Sequence, residues 1–189
     1  YAQQGFPIIP AGKRFIYSDT GYILLGDILS QFMRKNMAIA VRELLHFQDL
    51  NLPQTWWEGL ELQPKPPKAR ARQFTGEHEG THIDPSMDAF GGGGLVMTTL
   101  ELAEFTADLF EDRVYLHPST LKEMKWQGSH TGAANYRLGL MAEETSLGTL
   151  YYHLGYWGSV AYYLPEKQIA IAGFTTQRNS REDLIAIIK

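Results

Sequence analysis

A tyrosine near the start of the chain is the first side chain whose position suggests chemistry. Tyr17 lies in the run Tyr17-Ser18-Asp19, directly before apolar residues at helical spacing. A phenol has a solution pKa of about 10, so it can take part in proton transfer only where a nearby positive charge favours its phenolate. Arg14, His153 or a lysine from an upstream segment could supply that charge. Without such a charge, Tyr17 would be a poor base.

The second candidate group opens the C-terminal part of the chain. His153-Leu154-Gly155 lies in a run rich in Tyr, Val, Ile and Phe, which is typical of β-strands. His153 could place positive charge or a hydrogen bond near a phenol. Gly155 would let a substrate backbone approach the strand edge without a clash. We expect the rings of Tyr17 and His153 to converge on a single cleft.

These two segments resemble the second and third active-site motifs of the serine β-lactamase and penicillin-binding-protein superfamily. The stretch from Pro10 to Tyr22 is similar to that family's Pro-Gly-x-x-Phe-x-Tyr-Ser-Asn-x-Gly-Tyr, and His153-Leu154-Gly155 is similar to its Lys/His-Thr/Ser-Gly. Phe90 to Thr99 resembles the family's glycine-rich segment before a helix, for which we expect no catalytic role. The three segments occur in family order, and the likeness is strongest to the class C-like D-alanyl-D-alanine carboxypeptidases and esterases.

The resemblance implies a serine hydrolase that forms an acyl-enzyme, with a role for each site residue. Tyr17 would shuttle protons, His153 would tune the site, and the backbone N–H of Tyr156, just after Gly155, would hold the oxyanion. The family's nucleophile lies in a Ser-x-x-Lys motif upstream of the tyrosine, and this chain starts after that position. We therefore expect the chain alone to be inactive. No cofactor or metal is implied.

Two residues depart from the family pattern. Asp19 stands where asparagine is usual, and an ionised carboxylate cannot offer the N–H₂ that asparagine gives to a substrate carbonyl. Asp19 could instead pair with a cation or cap the helix. Leu154 lacks the hydroxyl that contacts a substrate carboxylate in the family. A catalytically inactive binding homologue of the same fold is therefore an open alternative, and the scissile bond could belong to an ester, a lactam or a D-Ala peptide.

Two other segments match catalytic motifs literally. His78-Glu79-Gly80-Thr81-His82 fits the His-Glu-x-x-His pattern of zinc hydrolases, which needs a helix to place both imidazoles on one face. Gly80 and the following Pro85 disfavour a helix there, so a zinc hydrolase is the weaker alternative. Ser119 to Lys122 fits Ser-x-x-Lys but follows the tyrosine motif instead of preceding it. We expect Ser119 to cap a short helix.

The elements that must position these groups follow from hydrophobic periodicity. Helical spacing predicts helices over Tyr22 to about Met33, about Met37 to Phe47, the segment after a Thr98–Glu101 capping box, Pro118 to Met124 and Arg181 to Lys189. Residues of high β propensity predict three strands, Leu150–Leu154, Gly158–Leu164 and Gln168–Thr175, the last two joined at Pro165. Between the helices, Gln54 to Met87 reads as a long irregular loop.

This order predicts an α+β, partial β-lactamase-like fold, with a helical segment followed by antiparallel strands and a C-terminal helix. We expect one incomplete domain over residues 1–189, with a helical and loop lobe over about 10–145 and strands with a terminal helix over about 146–189. The start at Tyr1 lacks signal-peptide features and looks cut. An incomplete sheet would expose one edge, open to self-association or to pairing with the missing segment.

Composition limits the partners. The formal net charge of −4 argues against nucleic acid, and no apolar run approaches the length of about 20 residues that crosses a bilayer. The absence of cysteine excludes disulfides, thiolate nucleophiles and cysteine-bound zinc. By resemblance, the partner is a small-molecule or peptidoglycan-like substrate. The same resemblance leads us to expect an extracytoplasmic protein, periplasmic or secreted, in a bacterium.

Overall fold

A computed structural model describes Pro10, residues 12–13, 15–88, 90–129 and 135–188. Arg14, one candidate source of positive charge for Tyr17, lies outside these residues. The described chain combines helices with antiparallel sheets, so the predicted α+β class is confirmed. None of the described helices has both the length and the apolar character needed to span a bilayer.

The first helix, α1 (Asp19–Met33), begins at a side-chain cap directly after the tyrosine motif. The Ser18 hydroxyl oxygen accepts a hydrogen bond of 3.3 Å from the Thr20 N–H, which satisfies one of the unpaired donors at the helix start. Ser18 is therefore the cap, and Asp19 lies in the first turn, where the helix dipole favours a carboxylate. Arg34 ends the helix in the left-handed conformation, with φ of 52°.

The apolar face of α1 is only partly covered by the rest of the described chain. No residue of α1 is buried, and Ile28 and Phe32 are 61% and 83% exposed. The helix that follows, α2 (Met37–Leu44), packs against α1 and buries Met37 and Ala38. It ends before Phe47, earlier than predicted, because the chain turns there into a short 3₁₀ segment.

The long irregular segment contributes small strand pairs and a local core. Strand β1 (Trp56–Trp57) pairs with β4 (Leu95–Val96), and β2 (Phe74–Thr75) forms a hairpin with β3 (His78–Glu79). Arg42 of α2 holds this segment against the helix. Its guanidinium donates hydrogen bonds to the Glu61 carboxylate and to the Thr55 carbonyl, and it lies 5.8 Å from the centroid of the Trp57 ring. Phe47 stacks on the same indole at 5.8 Å.

The glycine-rich segment lies against the backbone of α1. A Cβ built on Gly91 would overlap the Tyr22 carbonyl oxygen and lie 2.8 Å from the Ile23 Cα. Within α1, a Cβ on Gly26 would lie 3.1 Å from the Gly91 Cα. The two glycines therefore let a loop and a helix approach more closely than any side chain would permit.

The next two helices correct two details of the expected capping. Helix α3 (Thr99–Phe110) is capped by Thr98, whose hydroxyl accepts from the Glu101 N–H. The Glu101 carboxylate does not complete the box: it is buried and accepts from the Gln54 N–H and the Thr55 hydroxyl, at 2.8 and 2.6 Å. In α4 (Pro118–Met124) the cap position is His117, so the prediction that Ser119 caps this helix was wrong.

The main sheet has four antiparallel strands, where the sequence predicted three. They are β5 (Met141–Thr145), β6 (Gly148–Leu154), β7 (Ser159–Leu164) and β8 (Ile169–Phe174), paired in that order. The unpredicted β5 contains Glu143 and Glu144, residues of low β propensity. Its conformation follows from pairing with β6 rather than from local preference.

Helices pack against both faces of this sheet, because Tyr163 and Val160, the partner of Gly173, lie three positions apart on β7 and point to opposite faces. Helix α3 packs on β7 and β8, and its Phe110 ring stacks on Tyr163 at 4.6 Å. The last helix, α5 (Arg181–Ile188), lies on β8, where Leu184 and Ile188 face the bare Cα of Gly173. Within the described residues β8 forms one edge of the sheet, and its Ile169 and Phe174 are exposed.

Candidate active site

The structure brings the tyrosine and histidine segments together. Tyr17 ends the extended segment before α1, and His153 is the next-to-last residue of β6, paired with Ala161 of β7. The centroids of the two rings are 6.2 Å apart, with the ring planes inclined at 41°. The phenol is 46% exposed, so it lies at a surface that a ligand could reach.

A third aromatic residue, which the sequence analysis did not identify, borders this pair. Tyr136 stacks on Phe15 at 4.7 Å and meets the Tyr17 ring edge-on at 5.9 Å. Its hydroxyl donates a 3.2 Å hydrogen bond to the Tyr22 hydroxyl of α1. Burial, and then the hydrogen bond with Tyr22, raise the pKa of Tyr136, so this phenol stays protonated. Tyr136 therefore packs against the Tyr17 ring as a neutral phenol.

The environment of His153 makes it a neutral group near neutral pH. Burial lowers the pKa of this imidazole below its usual value of about 6.5. A backbone hydrogen bond with Leu154 and the charge of Asp19 act in the opposite direction but do not outweigh burial. Of the two expected contributions of His153, hydrogen bonding fits this environment and positive charge does not.

A tight turn follows the histidine and connects β6 to β7. The Gly155 N–H donates to the Ser159 carbonyl at 2.8 Å, and the Gly158 N–H donates to the Gly155 carbonyl at 3.2 Å. A Cβ on Gly155 would overlap the Ser159 hydroxyl oxygen, and Gly158 has a φ of +100°. Gly158 is therefore needed by the turn itself, whereas a side chain at Gly155 would require the Ser159 hydroxyl to rotate away.

The turn presents Tyr156 toward solvent. Its side chain is 54% exposed and meets the Trp157 ring edge-on at 5.1 Å. No described residue accepts a hydrogen bond from the Tyr156 N–H. An N–H that no described residue accepts, in the turn that follows His153, is a group that could bind a developing negative charge.

Two arginines after β8 hold the same turn and were also missed by the sequence analysis. The Arg178 guanidinium lies 4.2 Å from the centroid of the Tyr156 ring. The Arg181 Nη1 donates a 3.4 Å hydrogen bond to the Gly155 carbonyl. Neither residue belongs to a recognisable motif, and only the folding of the C-terminal segment onto the sheet brings them here.

The β2–β3 hairpin packs beside this turn and against the segment that follows β8. The Gln177 side chain makes two hydrogen bonds to the Gly76 backbone, at 2.8 and 2.9 Å, and the Phe74 N–H donates to the Thr176 carbonyl. A Cβ on Gly80 would lie 2.6 Å from the Trp157 ring, so this residue packs flat on the indole. The hairpin therefore forms a wall beside Tyr156 and Trp157.

The His-Glu-x-x-His segment lies in this hairpin and not in a helix. Glu79 is bound by Arg72 at 2.9 and 2.5 Å, and that hydrogen bonding, helped by Thr81, lowers the pKa of Glu79 to about 2. Within the described part of the chain, no three His, Asp or Glu side chains group closely enough to hold a metal ion. The geometry that zinc hydrolysis requires of this motif is therefore not what the segment adopts.

Comparison with known proteins places this chain in a family. The model of the Beta-lactamase family matches residues 1–187. No curated protein sequence matches the chain. Among solved structures, a D-stereospecific amidohydrolase from Streptomyces sp. is 23% identical, with a TM-score of 0.76 over 91% of this chain and 53% of its own.

Two further structures give the same fold. A D-amino acid amidase from Ochrobactrum anthropi SV3, complexed with D-phenylalanine, is 23% identical, with a TM-score of 0.74 over 99% of this chain and 65% of its own. A penicillin-binding protein from Bacillus halodurans is 16% identical, with a TM-score of 0.73 over 95% of this chain and 57% of its own. The chain thus spans 53% to 65% of the length of these three proteins. Its fold is β-lactamase-like, and the chain belongs to the Beta-lactamase family.

Proposed function

We propose that this chain supplies the proton-transfer and oxyanion-binding side of a serine hydrolase that works through an acyl-enzyme. The observation that carries the proposal is the 6.2 Å distance between the Tyr17 and His153 ring centroids, beside a turn whose Tyr156 N–H has no acceptor among the described residues. A serine from a segment upstream of Tyr17 attacks the substrate carbonyl. Tyr17 takes the serine proton and passes it to the leaving group, and the Tyr156 N–H binds the oxyanion.

His153 contributes to this site as a neutral hydrogen-bonding group. Because burial lowers its pKa, it does not provide the positive charge that would favour the Tyr17 phenolate. That charge comes from a lysine of the upstream segment, one turn of helix after the serine. The charge of Asp19 acts on His153 and favours its protonated form, but it does not outweigh burial.

The substrate is an ester, a lactam or an amide bond beside a D-amino acid. Similar structures include D-amino acid amidase and D-stereospecific amidohydrolase, which supports an amide of a D-residue. Leu154 carries no hydroxyl with which to bind a carboxylate next to the scissile bond. We therefore favour a D-amino acid amide or ester over the free carboxyl terminus of a D-alanyl-D-alanine peptide.

Active-site labelling of the full-length protein tests the proposal. A fluorophosphonate or penicillin should attach covalently to one serine, and a D-amino acid amide should be hydrolysed. Tyr17→Phe should lower kcat by about a hundredfold or more, since it removes the proton carrier. Tyr115→Phe is the matched control, because the hydrogen bond that the Tyr115 hydroxyl makes within the described residues is a long one, 3.5 Å, to the Met124 sulfur. Absence of both labelling and turnover would refute the hydrolase.

The chain by itself should lack activity and should associate with itself. Purified residues 1–189 should not turn over a nitrophenyl ester, and turnover abolished by Tyr17→Phe would contradict this. The exposed edge of β8 offers unpaired backbone groups to a second copy or to the upstream segment. We place the intact protein outside the bacterial cytoplasm, in the periplasm or secreted.

A binding homologue without activity is the second candidate, and Asp19 and Leu154 favour it. Both replace residues that contact substrate in the family with groups that cannot make the same hydrogen bonds. Such a protein would bind a D-amino acid amide without hydrolysing it and would not react with a fluorophosphonate. A zinc hydrolase is disfavoured by the hairpin geometry, and would require stoichiometric metal and loss of activity with a chelator.

A further inference from the structure

The peptide group that carries the Tyr156 N–H is held by an arginine on its opposite side. We propose that Arg181 is a positioning residue that orients and polarises this oxyanion donor, with Arg178 holding the neighbouring side chain. The inference rests on the proposed function, since it gives the Tyr156 N–H a role in acyl transfer. Arg181 itself is not required to touch the substrate.

The orientation follows from the geometry of a single peptide bond. The Gly155 carbonyl and the Tyr156 N–H belong to the same planar, trans peptide group, so they point in opposite directions. The carbonyl accepts from the Gly158 N–H at 3.2 Å and from the Arg181 Nη1 at 3.4 Å. Holding the carbonyl oxygen from one side therefore aims the N–H toward the other.

The charge of Arg181 also strengthens the donor. A cation bound to an amide oxygen draws electron density from the amide nitrogen, and hydrogen bonds in such a chain reinforce one another. The side chain of Arg181 is 29% exposed, and its buried Nε has no hydrogen-bond partner within the described part of the chain. Its acidic neighbour, Glu182, is 3.7 Å away and largely in solvent, so the guanidinium charge is only weakly neutralised.

The rest of the corner is arranged to keep the turn still. Arg178 stacks on the Tyr156 ring at 4.2 Å, in a cation–π contact. It lies in the 3₁₀ turn directly before α5, whose first residue is Arg181. The Thr175 N–H donates to the Gly158 carbonyl at 3.1 Å, which ties the same turn to the end of β8. Both arginines thus act from one packed corner of the sheet.

Steady-state kinetics of the full-length protein give the first test. Arg181→Met should lower kcat for a D-amino acid amide or nitrophenyl ester about tenfold to a hundredfold, with KM changed less than about twofold. Arg181→Lys, which keeps the charge but not the geometry, should fall between Arg181→Met and the wild type. Arg113→Met is the control, because Arg113 is exposed and its ion pairs within the described residues are with Asp108 and Glu111.

The outcomes separate this inference from the proposed function. A wild-type protein without turnover or labelling refutes the hydrolase itself. A wild-type protein with turnover, together with an Arg181→Met variant whose kcat lies within about twofold of it, refutes the role of Arg181 alone. A rise in KM without loss of kcat would also overturn the inference, because it would mean that Arg181 binds the ground-state substrate.

Hydrogen exchange in the isolated chain provides a readout that needs no activity. The base-catalysed exchange of the Tyr156 amide passes through an anion at nitrogen, which a nearby cation stabilises. In Arg181→Met the Tyr156 amide should therefore exchange more slowly, by about threefold or more, with a shifted ¹⁵N resonance. The amide of Leu62, a loop residue that is 93% exposed, should not change. An unchanged Tyr156 amide in a folded variant overturns the inference.

Discussion

Replacing Gly91 by alanine should destabilise the protein strongly, because the new methyl group would meet backbone. The Cβ would overlap the Tyr22 carbonyl oxygen and lie 2.8 Å from both the Tyr22 carbonyl carbon and the Ile23 Cα. These atoms belong to α1 and cannot rotate away as a side chain would. Overpacking typically costs about 1–3 kcal/mol, and a rigid backbone contact lies at the upper end, so we expect a loss of about 3 kcal/mol.

Two glycines that lie in α1 itself should give smaller effects on stability when replaced by alanine. A Cβ on Gly26 would lie 3.1 Å from the Gly91 Cα and 3.2 Å from the Met37 sulfur, so Gly26→Ala should cost about 1 kcal/mol. A Cβ on Gly21 meets no atom within 4 Å, and Gly21 lies in the same helix. Gly21→Ala should therefore stabilise the protein by about 0.5–1 kcal/mol through helix propensity.

Urea unfolding followed by circular dichroism measures this series. The free energy of unfolding should fall in the order Gly21→Ala, wild type, Gly26→Ala, Gly91→Ala, with similar m-values if all four unfold in two states. Because the contact connects the glycine-rich loop to the helix behind Tyr17, Gly91→Ala should also lower activity in the full-length protein. A Gly91→Ala variant as stable as the wild type would refute the close approach of loop and helix.

Three further outcomes follow from single side chains. Folding lowers the pKa of His153, so the neutral imidazole contributes fully to stability above its unfolded pKa of about 6.5. This contribution is lost as the pH falls through about 6.5 toward the folded pKa. His153→Gln should therefore reduce the drop in the urea midpoint of unfolding between pH 7.5 and 5.5. Glu101→Ala leaves the buried Thr55 hydroxyl without its acceptor and should cost about 2 kcal/mol of unfolding free energy. Glu104→Ala, at a half-buried position of the same helix that accepts no hydrogen bond within the described residues, should cost less than about 0.5 kcal/mol. Ile171→Lys places a charge on the edge strand and should weaken self-association in sedimentation velocity, and unchanged association would exclude the β8 edge as the contact.

Elements with strong local signals were predicted well from the sequence. Apolar periodicity and a capping hydroxyl place α1 within a few residues, and β propensity with Pro165 places β7 and β8. These signals act between residues close in sequence, so no knowledge of the fold is needed to read them. Strand β5 was missed because Glu143 and Glu144 disfavour a strand locally, and only pairing with β6 imposes it.

The sequence by itself therefore determined the class of the fold, its family through three ordered motifs, and the two segments that carry Tyr17 and His153. Tertiary structure alone decided that Tyr136, Arg178 and Arg181 join them, and that His153 is neutral rather than charged. The physical reason is that ring packing, desolvation and the hydrogen bond to the Gly155 carbonyl all arise between segments far apart in sequence. Local periodicity carries no information about such contacts, because only the folded chain brings these groups within reach.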